Sequence, residues 1–190
     1  MAGVMDTKSS GEDGSSGARR HGVGSADRTA VLAKLGDHIR LIQDPDALAY
    51  AAAELLGQTL EVSRAGYGTI DTTAETITIE RDWNAPGITS LAGVLHFRDY
   101  GSYIEDLKRG RPVICPDARL DPRMHDRADA LEAIAARALI NVPISEPNGV
   151  VALLYLNNAA PRTWSSEDLA LISEVAERTR TAVTQGRNSA

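Results

Sequence analysis

The sequence predicts an α+β fold: a central antiparallel β-sheet of about five or six strands, with long helices near both ends of the chain. Three observations carry this. First, two apolar runs between Leu139 and Asn157 flank Glu146-Pro147-Asn148-Gly149. Pro presets φ and Asn-Gly tolerates the positive φ of a tight turn, so the stretch reads as a β-hairpin. Its second run, Val150 to Leu156, is nearly all apolar, as expected of a strand covered on both faces at the middle of a sheet. Second, Arg64 to Asp71 and Thr76 to Trp83 read as another antiparallel pair, since Ile77, Ile79 and Arg81 alternate with Thr76, Thr78, Glu80 and Asp82. Third, apolar seams of three-four spacing lie near both ends: Leu32, Leu35, Ile39 and Ile42, then Leu169, Ile172, Ala176, Thr179 and Val183.

The 190 residues leave room for one domain and a tail. Residues 1–27 are mostly Gly, Ser and charged groups and cannot bury enough surface to offset their conformational entropy, so they are expected to be disordered. Their Arg19-Arg20-His21 cluster reads as solvated, with a docking patch as the alternative. The folded unit is then residues 28–187. A net charge of −6 argues against a general nucleic-acid or anionic-membrane surface, because phosphate binding needs clustered Lys and Arg. No apolar run approaches the roughly 20 residues of a membrane span. No signal-peptide pattern opens the chain. A single cysteine, Cys115, excludes a disulfide framework and a multi-cysteine zinc site. These features fit a reduced, cytoplasmic protein.

The elements follow in order. A helix is expected from about Asp27 to Ile42. Asp44-Pro45-Asp46 then supplies an N-cap, a first-turn proline and an acid, opening a helix to about Leu60. Gly66 and Gly68 flank Tyr67 in the first strand; they allow either a close approach to the backbone or the crossing of a helix. Asn84 to Phe97 reads as a long irregular connection, a length that tends to be functional or mobile. Tyr100, Tyr103, Ile104 and Leu107 mark a short helix that stops at Gly110. Pro112 to Cys115 is a brief strand, 117–125 a loop, and Ala128 to Ala138 an alanine-rich helix leading into the hairpin. Ser165 and Asp168 form a near capping box, with Trp164 and Leu169 as a hydrophobic staple, at the start of the last helix. Leu171, Val175 and Ala182 add a second stripe to it. One stripe covers the sheet; the other pairs within the chain or across a homodimer, and the dimer is the favoured reading.

This order of elements resembles a GAF domain. The resemblance is carried by Gly66-Tyr67-Gly68-Thr69-Ile70-Asp71, Gly110-Arg111-Pro112-Val113, Ile140-Asn141-Val142-Pro143-Ile144, the run Val150 to Asn157, and Trp164-Ser165-Ser166-Glu167-Asp168-Leu169. It is closest in pattern to GAF modules at the input end of bacterial sensor histidine kinases. It implies terminal helices on one face of the sheet and a ligand-enclosing layer of loops and a short helix on the other. It also implies a sensory or regulatory module of signal transduction. The pocket of that family would draw on Tyr67, Trp83, His96, Tyr100, Tyr103, Cys115 and Asn141 as ligand-binding candidates. The alternative is that this layer closes on itself as an accessory core. Dimer-interface candidates are Leu32, Leu35, Ile39, Ile42, Ile172, Ala176, Thr179 and Val183.

The resemblance also disfavours particular ligands. His125 lies near the bilin-attachment region of phytochrome-like relatives, but Met124 holds the cysteine position and the Asp-Ile-Pro signature is absent. Covalent bilin is therefore not expected, and His125 reads as an exposed loop residue. Haem would rest on His96 alone, a weak basis. The Asn-Lys-Phe-Asp-Glu signature of cyclic-nucleotide relatives is missing, and no metal site is expected. The cofactor, if any, stays unnamed. Cys115, among Val113, Ile114 and Pro116, reads as a buried inert thiol, with a redox sensor as the alternative. His38 reads as a surface residue rather than a phosphoacceptor. No hydrolase, kinase or zinc-protease motif appears. The favoured function is a non-catalytic sensory module that binds a small molecule or a partner such as a sensor kinase in trans. The alternatives are a free methionine sulfoxide reductase using Cys115 and a dimerisation module without a ligand.

Overall fold

The computed structural model describes residues 25–188. Its elements run α1 (Ser25–Leu41), α2 (Pro45–Leu60), β1 (Arg64–Asp71), β2 (Thr76–Ile79), β3 (Asp82–Asn84) and β4 (Gly93–His96). They continue with α3 (Ile104–Lys108), β5 (Val113–Cys115), α4 (Ala128–Ala133), β6 (Ala138–Glu146), β7 (Gly149–Asn158) and α5 (Ser166–Asn188). Seven strands make one antiparallel sheet in the order β4-β2-β1-β7-β6-β5, with β3 also paired to β1. The α+β class is as predicted, and β7 holds the central place expected of its apolar run. The predicted segment 1–27 lies outside the described residues except for 25–27, which open α1 rather than a tail.

The strand count exceeds the expected five or six because two predictions joined or missed short pieces. The strand read as Thr76 to Trp83 is two. Asp71 pairs with Thr76 and Thr69 with Thr78, whereas Gly66 pairs with Asp82 and Arg64 with Asn84. Between those registers Tyr67 and Gly68 face Ile79, Glu80 and Arg81. The extra residue is a bulge, which re-aims side chains on the longer strand. Within the predicted irregular connection, Gly93–His96 adds β4 to the outer edge of β2. The alanine-rich helix is shorter than expected: Ala135 adopts a left-handed conformation (φ 56), and the Ala136 amide closes onto the Leu131 carbonyl at 2.9 Å. That stop lets the chain turn through Ala136 and Arg137 and enter the sheet at Ala138.

Alternate strand residues feed two separate cores. Ala65, Ile140, Leu154 and Leu156 face α1, α2 and α5, while Leu139, Leu153, Tyr155, Ile77 and Ile79 face the loop layer with Phe97, Tyr103 and Ile104. The last helix starts as its sequence requires: the Asp168 amide donates to Ser165 Oγ at 3.0 Å, the Ser165 amide donates to Asp168 Oδ2 at 3.3 Å, and Trp164 is buried. Asp44 likewise caps α2 through the Ala47 amide at 3.2 Å.

The predicted dimer seam is largely an intrachain one. Leu35, Ile172, Ala176 and Thr179 are buried within the single chain, where α1, α2 and α5 pack against one another. Leu32, Ile39, Ile42 and Val183 remain half-buried. Three-four spacing says that a face is covered by a neighbour; it does not say whose neighbour covers it.

The glycines of β1 allow a close approach to the backbone, made by side chains of the same sheet rather than by a crossing helix. A Cβ on Gly66 would fall on the Tyr155 hydroxyl, and one on Gly68 would fall on Ile77. The residue that accommodates helix crossing is Gly57 of α2, against which the Trp83 ring lies. Helix propensity alone would make Gly57→Ala stabilising by about 1 kcal/mol. The clash with Trp83 should reverse the sign, giving a loss of about 1–3 kcal/mol in urea unfolding. Trp83→Leu in the same chain should remove most of that penalty.

Candidate functional site

The most polar part of the interior lies on the loop face, where β1 meets β3 and β7. Arg64 is 1% exposed. Its Nε donates to Asn84 Oδ1 at 3.0 Å, its Nη1 to the Ile134 carbonyl at 2.8 Å and its Nη2 to the Thr89 carbonyl at 2.6 Å. With its amide oxygen turned toward Arg64, Asn157 accepts from Nη1 at 3.1 Å. Asp82 lies 3.5 Å from Arg64 Nε. Its carboxylate accepts from Asn84 Nδ2 at 2.8 Å, Ser90 Oγ at 2.5 Å, the Leu91 amide at 2.8 Å and the Tyr155 hydroxyl at 3.4 Å. Burial pushes the Arg64 guanidinium below its usual range, and neighbouring Asp82 opposes that shift. Burial, then Asp82, pushes the Tyr155 phenol up. The guanidinium's partners are all supplied by the protein, so the group ties the 84–91 segment and the turn after α4 to the sheet. The sequence did not flag Arg64 or Asp82 because strict alternation places Asp82 with Thr78 and Glu80. The bulge moves it inward.

Beside this network is a loop-face cavity of about 40 Å³, bounded by Tyr100, Tyr103, Asn141, Tyr155, Asn157 and Phe97. That is room for a water molecule rather than a ligand. Of the predicted ligand residues, Tyr100, Tyr103 and Asn141 meet here. Phe97 and Tyr103 pack edge to face at 5.9 Å, filling the space. His96 is exposed on the edge strand β4, and His125 is exposed after the buried Met124.

Cys115 sits in the loop-face core at 0% exposure and does not line the cavity. Burial, reinforced by the Asp121 carboxylate, pushes its thiol up to about 12. Only the thiolate is a good nucleophile, so this thiol is inert at neutral pH. The inert reading of the sequence is the one that this environment supports.

Tyr67 and Trp83 project to the other face. Trp83 packs on α2, and Tyr67 borders a helix-face cavity of about 210 Å³ lined by α2, β1, the bulged β2–β3 segment, the β6–β7 hairpin and the end of α5. The expected tyrosine cluster is therefore divided by the sheet. Strand alternation sends Tyr67 to the side opposite Gly66 and Gly68, both of which face the loop layer. The cavity was invisible in the sequence because its walls come from six separate elements. Among the described residues no group of His, Cys, Asp and Glu is placed to hold a metal ion, and no helix is long and apolar enough to cross a membrane.

A sheet with terminal helices on one face and a strapped loop layer on the other is the GAF architecture. The GAF domain profile matches residues 44–183, and the chain belongs to the GAF domain family. No curated protein matches the sequence. Among solved structures, the fold is similar to the phycoerythrobilin-bound GAF domain from a cyanobacterial phytochrome (TM-score 0.73, 14% identity, covering 85% of this chain and 97% of that one). It is similar to free methionine-R-sulfoxide reductase from Neisseria meningitidis in complex with its substrate (TM-score 0.68, 15% identity, 87% and 93% covered). It is also similar to the GAF domain from Acinetobacter phosphoenolpyruvate-protein phosphotransferase (TM-score 0.65, 12% identity, 85% and 96% covered).

Two measurements check the interior. Asp82→Ala leaves a buried guanidinium unpaired and should lower the unfolding free energy in urea by about 3–5 kcal/mol, whereas Arg64→Met with Asp82→Leu should cost less than the single change. Alkaline pH should also destabilise the fold. The Cys115 thiol titrates near its ordinary 9.0 when unfolded and at about 12 when folded. The unfolded chain therefore loses the proton first, and stability should fall as pH rises from about 9 toward 12. A urea midpoint that stays flat over that range would contradict the buried thiol.

Proposed function

We propose that this chain is a cytoplasmic sensory or regulatory module of signal transduction that works without catalysis and signals through the packing of α1, α2 and α5. The observation that supports this is the condition of the loop face. Its interior holds about 40 Å³, the protein's own carbonyls and side chains satisfy its buried guanidinium, and its thiol is fully buried. That face is built as a closed core. The helix face keeps a larger cavity and the half-buried apolar residues Leu32, Ile39 and Ile42, next to Leu41 at 78% exposure. Those residues offer surface for a second copy of the chain or for a partner in trans such as a sensor kinase of a two-component system. A small molecule or partner with unequal affinity for two packings of the helices shifts their populations, which is the physical content of sensing.

An enzymatic reading has one observation in its favour, the likeness of fold to a free methionine-R-sulfoxide reductase. Against it stands the chemistry of Cys115, the one cysteine of the chain. A non-binding spacer is the third reading. The regulatory reading predicts no turnover of free methionine sulfoxide, and no reaction of the native protein with a thiol reagent at neutral pH until urea exposes Cys115. It also predicts a dimer by native mass spectrometry of freshly purified protein. Turnover that disappears in Cys115→Ser would replace it with the enzymatic reading.

A further inference from the structure

The helix-face cavity has the attributes of a ligand site that the loop face lacks. Thr179 is 1% exposed, its hydroxyl and that of Tyr67 face each other closely enough to interact, and neither has any other hydrogen-bond partner among the described residues. Both side chains line the cavity. One contact between the β1 and α5 hydroxyls leaves most of their donor and acceptor capacity unfilled, and buried capacity of that kind is completed by a ligand hydroxyl set between them. Ile144, Ala152 and Val183 supply apolar wall. The volume, about 210 Å³, exceeds the roughly 150 Å³ apolar cavity that takes up benzene, so one ring with a short chain fits.

The mouth adds charge of both signs. The bulge in the β2–β3 segment turns Glu80 and Arg81, neighbours in sequence, both toward the cavity. The Arg81 guanidinium lies 4.1 Å above the Tyr50 ring. Among the described residues, the side chains of Arg81, Glu80 and Glu146 form no ion pair, and all three border the opening. Asp46 and Arg180, the latter paired with Glu177, also line the cavity, so charge of both signs surrounds it, and this complements a zwitterion better than a simple acid or amine.

We propose that this cavity binds a free amino acid with a single-ring, hydroxyl-bearing side chain. The ring lies against Ile144, Ala152 and Val183. The phenolic hydroxyl exchanges hydrogen bonds with Tyr67 and Thr179, the carboxylate meets Arg81, and the ammonium meets Glu80 and Glu146. Such a ligand bridges α2, the sheet and α5 and fixes their spacing. Binding itself stands on the cavity, and its regulatory consequence rests on the reading given above.

The test is a heteronuclear NMR titration of the full chain with L-tyrosine, phenylalanine, tyramine and hydroxyphenylpropionate. Tyrosine should bind saturably and shift the signals of Tyr50, Tyr67, Arg81 and Thr179. The analogues, which lack in turn the hydroxyl, the carboxylate and the ammonium, should each bind about tenfold more weakly or worse. Thr179→Val should reduce the preference for tyrosine over phenylalanine, and Thr179→Val with Tyr67→Phe should erase it. Arg81→Gln, at an exposed position, keeps the fold and should weaken tyrosine by about tenfold or more. Absent saturation, equal affinities across analogues and variants, or shifts confined to Tyr100, Tyr103 and Asn141 would each overturn the site. The last would put the ligand under the loop layer while the regulatory reading stood. Sulfoxide turnover dependent on Cys115 would remove that reading and leave the binding result intact.

Discussion

The buried Arg64–Asp82 pair is the constraint on which the loop face depends. Two charges out of water are costly unless their hydrogen-bonding capacity is filled. Here the filling is done by the segments that must be held in place: the carbonyls of Thr89 and Ile134, the Leu91 amide, Ser90 and the amides of Asn84 and Asn157. The pair converts a long connection into a strap. Satisfying the charges and closing the loop layer are one event, so the layer cannot lift at that end without exposing unpaired groups in the interior.

The sheet distributes this constraint. Adjacent residues on β6 and β7 serve different layers: Leu139 and Ile140, Leu153 and Leu154, Tyr155 and Leu156. A change in the spacing of α2 and α5 thus acts on strands whose other face carries the strap. Packing near crystal density resists continuous deformation, so such coupling favours a few discrete arrangements. The glycines of β1 belong to the same design. By lacking side chains they let Tyr155 and Ile77 cross the strand, which brings the Tyr155 hydroxyl to Asp82.

The surface carries its own reinforcement of the loop layer. Arg123 binds Asp121 at 2.6 Å and Asp106 at 3.0 Å, tying α3 to the 116–125 loop, and Glu75 holds both Arg98 and Lys108. Arg98 and Lys108 hold the Glu75 carboxyl down at about 2, so it stays ionised well into the acid range. The pair with Arg98, 48% exposed, is screened by water and adds little by itself. Their common effect is direction: each joins a loop-layer segment to a neighbour, and none reaches across to the helices.

Local signals were enough for the elements whose cause is local. The turn at Glu146-Pro147-Asn148-Gly149, the cap at Asp44 and the box at Ser165 and Asp168 appear as read, because each depends on residues within a few positions of one another. The apolar run from Val150 to Leu156 likewise announced a covered central strand. What the sequence could not contain was the single inserted residue that divides β2 from β3. Its effect is to reverse alternation, sending Asp82 inward to Arg64 and Arg81 outward to the helix-face cavity. Periodicity also showed that Leu35, Ile172 and Ala176 would be covered, but only the packing of three helices decided that this chain covers them itself. Sequence by itself determined which faces are apolar and where segments start and stop; tertiary structure decided which faces meet, because burial is a property of neighbours far apart along the chain.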